Sequence, residues 1–190
     1  TSNNADLLMQ VGAAFESGLA VMQDMSAADR WYTKAVIEYN ATANDGATDA
    51  MIRLGDLCLS NKGLPADLLR ELSAHGSVSP LIGISGPDPR MRVVIDWYSK
   101  AAKKDDPVGA SKMAKLYEGG SGLPKDDAKA AEWRRKSINL YLARANSGDA
   151  AAQHDLGVIY QQGYGVAPSS KSAAMWFATA LSPRMAAAAH

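Results

Sequence analysis

Few residues of this 190-residue chain are of a type and spacing that could do chemistry. Gly119-Gly120-Ser121-Gly122 has the composition of a loop that cradles a phosphate with backbone N–H groups. A phosphate loop of the G-x-x-x-x-G-K kind needs a lysine behind its last glycine, and Leu123 stands there. Gly163 and Gly165 form a second such pair, again with no lysine following, so both read as turn chemistry. Asp126-Asp127 offers two carboxylates for general acid–base work, but Ser169-Ser170 occupies the same place 43 residues on. Aspartate and serine share helix N-capping, which is the better account. His75, His154 and His190 lack a second His, Cys or spaced carboxylate to complete a metal site. Cys58 is the sole cysteine, which excludes an internal disulfide and reads as a small buried apolar side chain. Neither G-x-S-x-G nor H-E-x-x-H occurs. The chain is therefore expected to have no cofactor, no metal and no catalytic set.

The elements that carry these residues recur. Moving Ala110 to Trp133 forward by 43 residues, with no gap, places Leu116-Tyr117 on Ile159-Tyr160, Gly120 on Gly163, Gly122 on Gly165 and Trp133 on Trp176. Moving it back by 102 places Tyr117 on Phe15, Glu118 on Glu16, Gly120 on Gly18, Asp126 on Asp24 and Trp133 on Trp31. A fourth copy opens at Leu54-Gly55 and closes at Asp96-Trp97-Tyr98, with extra sequence between. Internal repetition on this scale predicts a solenoid.

Within each copy a small residue (Gly12, Gly55, Ala114, Gly157) precedes the tryptophan by 19 residues in three cases and by 42 in the second, which therefore holds a 23-residue insertion. From each tryptophan to the next small residue is 24, 17 and 24 residues, so two of the second helices should be longer by seven residues, about two turns. Gly18, Gly120 and Gly163 should end first helices in the left-handed conformation. Asp24, Asp126 and Ser169 should cap second helices. The small residues should let helices approach, with Phe15, Tyr117 and Tyr160 filling the groove beside them and the tryptophans on the apolar face.

Leu156 to Val166, L-G-V-I-Y-Q-Q-G-Y-G-V, and Met113 to Trp133, M-A-K-L-Y-E-G-G-S-G-L-P-K-D-D-A-K-A-A-E-W, resemble the Sel1-like repeat, a relative of the tetratricopeptide repeat. The resemblance covers about residues 5–181, with copies at 5–44, 46–103 (insertion 63–88), 105–146 and 148–181, and leaves 182–190 as a tail. It implies an all-α, right-handed α-solenoid of about eight helices plus the insertion. It also implies a non-catalytic protein–protein interaction module, an adaptor or scaffold. Its first helices would line a concave face, with Gln10, Arg53, Asp56, Lys112, Lys115, Glu118 and Asp155 exposed on it. A narrower reading from the same resemblance is an immunity protein that neutralises a secreted toxic effector such as a phospholipase. A hydrolase is the rival class; the relatives for which it has been considered carry paired cysteines in every repeat, and this chain does not.

Charge fits a protein partner. Lysine plus arginine and aspartate plus glutamate number 20 each, which argues against a nucleic-acid or anionic-membrane footprint. No apolar run is long enough to span a bilayer, so no direct membrane insertion is expected. In the insertion, Leu68 to His75 reads as a short helix ending at Gly76, and Ser77 to Pro87 as a loop exposing Val78, Leu81, Ile82 and Ile84. These four either meet a partner or pack back onto the solenoid. The sequence opens at Thr1 without methionine, which suggests a removed leader or a start inside a longer protein. Because many bacterial relatives are exported, a periplasmic or secreted location is expected. Met185 to His190 reads as a cloning remnant outside the fold.

Overall fold

In the computed structural model, residues 2–19, 21–74 and 88–187 are described, with side chains placed for 4–19, 21–74 and 88–181. Among them are nine helices and no strand: α1 (Ser2–Ser17), α2 (Met25–Asn44), α3 (Thr48–Ser60), α4 (Ala66–Ala74), α5 (Pro89–Lys103), α6 (Pro107–Gly119), α7 (Asp127–Asn146), α8 (Ala150–Gln162) and α9 (Ser170–Ala187). Helices pair as α1 with α2, α3 with α5, α6 with α7 and α8 with α9, and each pair packs on the next through α2 and α3, α5 and α6, and α7 and α8. This nearest-neighbour stacking is an all-α solenoid.

Local backbone chemistry sets the boundaries. Gly18, Gly120 and Gly163 end their helices with φ of 70°, 63° and 74°, where a Cβ would be strained. Asn61 takes the same role in the second copy at φ 56°. The Asp24 and Asp126 carboxylates accept from the backbone N–H groups of Ala27 and Lys129, and the Ser169 hydroxyl accepts from that of Ser172. The predicted two extra turns are present beyond the tryptophans: α2 and α7 end at Asn44 and Asn146, 13 residues after Trp31 and Trp133, whereas α5 ends at Lys103, six after Trp97. Each turn then seats on the preceding pair. A Cβ on Gly63 would stand 2.3 Å from the Tyr32 carbonyl carbon.

The small residue of each first helix accommodates an aromatic ring, but from an unexpected source. A Cβ would meet Tyr32 at 2.6 Å from Gly12, Tyr98 at 2.3 Å from Gly55 and Phe177 at 2.4 Å from Gly157. The ring comes from the facing helix, one residue after the tryptophan, rather than from Phe15, Tyr117 or Tyr160 one turn along the same helix. Where the small residue is Ala114, the residue after the tryptophan is Arg134, which instead pairs with Glu118 at 2.7 Å. Of these rings Tyr32 and Tyr98 are buried and Phe177 is half-buried. Trp97 is buried, while Trp31, Trp133 and Trp176 are half-buried.

Lysines three residues on lie over three of the indoles: Lys34 over Trp31 at 4.4 Å, Lys100 over Trp97 at 4.3 Å and Lys136 over Trp133 at 5.5 Å.

The expected helix of the insertion is α4. It packs on α5, burying Leu72, with Leu64, Leu68 and Leu69 against the main core. Val78, Leu81, Ile82 and Ile84 lie outside the described residues. α9 runs through Ala187, past residue 181 where the repeat spacing ends the fourth copy, because Met185-Ala186-Ala187 are strong helix formers.

Candidate functional site

Gln10, Arg53, Lys112 and Asp155 occupy one repeat position, two residues before the small residue of α1, α3, α6 and α8. Asp56 and Lys115 occupy another, one residue after it. Three residues of spacing put both positions on one side of the helix.

Arg53, Asp56 and Lys112 come together. The Tyr98 hydroxyl donates to Asp56 at 2.5 Å, and the Lys112 ammonium, from the next helix pair, donates to the same carboxylate oxygen. Asp56 thereby ties its own second helix to the following repeat. These residues line a cavity of about 450 Å³, whose other walls include Asp6, Tyr39, Asp49 and Ile52. It runs into a second cavity of about 660 Å³ that shares Asp6, Tyr39, Arg53 and Asp56 and adds Met9, Leu57 and Lys62. The two form one groove along α1, α3 and α6.

The tyrosines of this groove are fixed as donors. Burial raises the hydroxyl pKa of both Tyr39 and Tyr98, and the carboxylates they bond, Asp6 and Asp56, raise it further. Two charged side chains are left over. Arg53 and Asp49 are exposed, and among the described residues neither makes a hydrogen bond or ion pair.

Lys115 and Asp155 do not join them. They line a separate cavity of about 190 Å³ between α6 and α8, with Ser111, Tyr141 and Tyr164. Burial raises the Tyr141 hydroxyl pKa, and Asp155 adds to it. Glu118 lines neither of these cavities, and its carboxylate pairs with Arg134 at 2.7 Å.

Sequence reading missed Asp6, Tyr39 and Asp49. The available signal was a carboxylate four residues before Gln10 and before Arg53, which places it one turn along the same face.

The remaining candidates are structural. Gly120 ends α6, and a Cβ on Gly122 would stand 2.7 Å from Met91, so the G-G-S-G turn is shaped by packing on α5. Burial pushes the Cys58 thiol up to about 12. Among the described residues, no group of three His, Cys, Asp or Glu is placed to hold a metal ion. No helix there is long and apolar enough to cross a membrane.

The notches, caps and paired turns recur along the chain, and a family profile matches the repeat. The Sel1 repeat profile covers residues 5–36, 48–70, 95–106, 107–141 and 150–182. The chain belongs to the Sel1 repeat family. In its second copy the match is interrupted at 71–94, across the end of α4 and the start of α5. A Sel1 repeat protein from Oxalobacter formigenes is similar at 24% identity over 95% of this chain and 74% of its own, with a TM-score of 0.37. A protective antigen present in uropathogenic Escherichia coli strains, displaying an SLR fold, is similar at 19% identity over 93% of this chain and 53% of its own, with a TM-score of 0.29. No curated protein matches. Sel1 repeat proteins are generally protein-interaction modules and typically non-catalytic scaffolds.

Proposed function

We propose that this Sel1 repeat chain is a non-catalytic interaction module that holds an extended segment of a partner protein in the groove of α1, α3 and α6. The observation that carries this reading is the pair Asp49 and Arg53. They lie one helical turn apart on α3, exposed and of opposite sign, in a groove where Asp6 and Asp56 are already bonded. A partner segment with complementary charges would meet both, while Met9, Ile52 and Leu57 supply apolar contact beneath.

An affinity pull-down with the intact protein, Arg53→Glu and a form lacking residues 77–87 tests it. Retention by the intact and shortened forms with loss in Arg53→Glu is expected. Loss in the shortened form alone would move recognition to the insertion. An immunity role and a periplasmic location are narrower versions of this proposal. Relief of an effector's toxicity on co-expression tests the first, and cell fractionation the second.

A further inference from the structure

Two cavities along the first helices are one cavity repeated. Every residue lining the cavity of about 190 Å³ between α6 and α8, except Lys115, stands 102 residues after a residue lining the cavity of about 660 Å³ beside α1 and α3. Tyr39 becomes Tyr141, Leu57 becomes Ile159 and Lys62 becomes Tyr164. The same distance separates Trp31 from Trp133, so the cavities lie two copies apart. Their shared tyrosine belongs to the two turns by which α2 and α7 continue beyond the tryptophan. α5 stops short of that position, which in the second copy falls on Asp105. The long second helices are thus the ones that bring a tyrosine into a cavity between first helices.

The walls differ in charge. In the first cavity Asp6 is bonded by Tyr39, Asp56 by Tyr98 and Lys112, and Lys62 by Glu16 at 2.6 Å, which leaves the Arg53 guanidinium. In the second, Asp155 takes the place of Arg53 and stands against the Tyr141 hydroxyl, with His154 at 3.7 Å. The cation there is Lys115, whose counterpart is Ala13. Lys115 is exposed, and among the described residues it makes no hydrogen bond or ion pair. Each cavity therefore sets one unpaired cation beside an aliphatic wall, Met9 and Leu57 in the first and Val158 and Ile159 in the second. α6 joins the two, because Val108 and Lys112 line the first groove and Ser111 and Lys115 the second cavity.

We propose that the cavity between α6 and α8 is a second docking site for the same partner segment, and that this segment carries two anchors, each an acidic residue beside an apolar one, the first meeting Arg53 and the second Lys115. The inference rests on the groove reading above and adds the partner's chemistry to it. Charge complementarity carries it: an unpaired cation over apolar surface is matched by a carboxylate and an aliphatic group presented together. Once the first anchor is seated the second binds within the same complex, so two weak sites act as one strong site.

Selection of a display library of random linear peptides on the intact chain, followed by fluorescence anisotropy of the enriched peptides, tests this. The enriched peptides are expected to share two acidic residues at a fixed separation, each with an apolar neighbour. Lys115→Glu, at an exposed position and with an unchanged thermal midpoint, should weaken them about tenfold, an attraction being replaced by a repulsion of similar size. Changing the second acidic residue of the peptide to lysine should restore binding to Lys115→Glu and weaken it to the parent, which a merely structural role for Lys115 would not produce. Peptides weakened by Arg53→Glu but bound equally by Lys115→Glu would overturn the second site and leave the groove reading standing. Failure to enrich any peptide, or binding indifferent to Arg53→Glu, would overturn both.

Discussion

The second and third copies share one turn, Asn61-Lys62-Gly63-Leu64-Pro65-Ala66-Asp67 against Gly120-Ser121-Gly122-Leu123-Pro124-Lys125-Asp126, and part company immediately after it. Both turns hold two left-handed residues, at φ 56° and 65° in one and 63° and 73° in the other. In the third copy the next helix, α7, packs on α6. In the second copy the next helix is α4, yet the place beside α3 goes to α5. α4 carries no aromatic residue for the Gly55 notch, and α5 brings Tyr98. The second-helix place is thus decided by fit into the notch rather than by proximity to the turn. The displaced helix then covers its replacement. Leu72 and Glu71 of α4 stand with Trp97 around a cavity of about 180 Å³, and Trp97 is buried where Trp133 is half-buried.

The difference between the two tryptophans can be broken most forcefully by truncation. Trp97→Ala should cost about 3 to 5 kcal/mol, the usual range for a buried aromatic. Trp133→Ala should cost less than half as much, because its indole already meets water and leaves a smaller void. Urea unfolding of the two variants measures this, and equal losses would show that α4 does not seal Trp97.

A second comparison concerns the notch. Gly55→Ala places a methyl into the ring of Tyr98, which is fully buried and tied through its hydroxyl to Asp56. Overpacking of this kind costs about 1 to 3 kcal/mol. The reciprocal change, Ala114→Gly, meets no ring and should cost about 1 kcal/mol through helix propensity alone. Gly157→Ala should fall nearer the lower figure, since Phe177 is only half-buried and can yield. If Gly55→Ala were as stable as the parent, the notch account would fail.

The same contrast explains what could be read without coordinates. Caps, turns and the seven-residue extension of α2 and α7 are local backbone chemistry, and spacing exposes them directly. The notch partner is not local. Tyr32 lies 20 residues from Gly12 and Tyr98 lies 43 from Gly55. The covariation was nevertheless visible, glycine facing an aromatic in three copies and alanine facing arginine in one. For the groove, Arg53, Asp56 and Lys112 line one cavity, as their related repeat positions imply. Repeat position says nothing of the ion pair that Glu118 makes with Arg134. Tyr39 was missed because it reaches the groove from α2, a helix whose recurring landmark is the tryptophan.

The smallest expected effect sharpens the contrast between Glu118, bound within its own helix pair, and Glu16, bound across two. The Glu16 carboxylate accepts from Lys62 at 2.6 Å and from Tyr32 at 2.5 Å, joining the first copy to the turn of the second. These two donors, Lys62 foremost, lower its pKa from the ordinary 4.5. A carboxyl whose pKa is lower in the folded state stabilises the fold fully above its unfolded value. That contribution is lost as pH falls below about 4.5 and through the folded value. Glu16→Gln should therefore flatten the acid limb of the stability profile while changing neutral stability by only about 0.2 to 1 kcal/mol, the range for exposed pairs. Lys62→Met should flatten the acid limb in part, since Tyr32 still donates to the carboxylate. Urea midpoints from pH 3 to 7 would show it, and an acid limb unchanged in both variants would mean that Glu16 does not link the two copies.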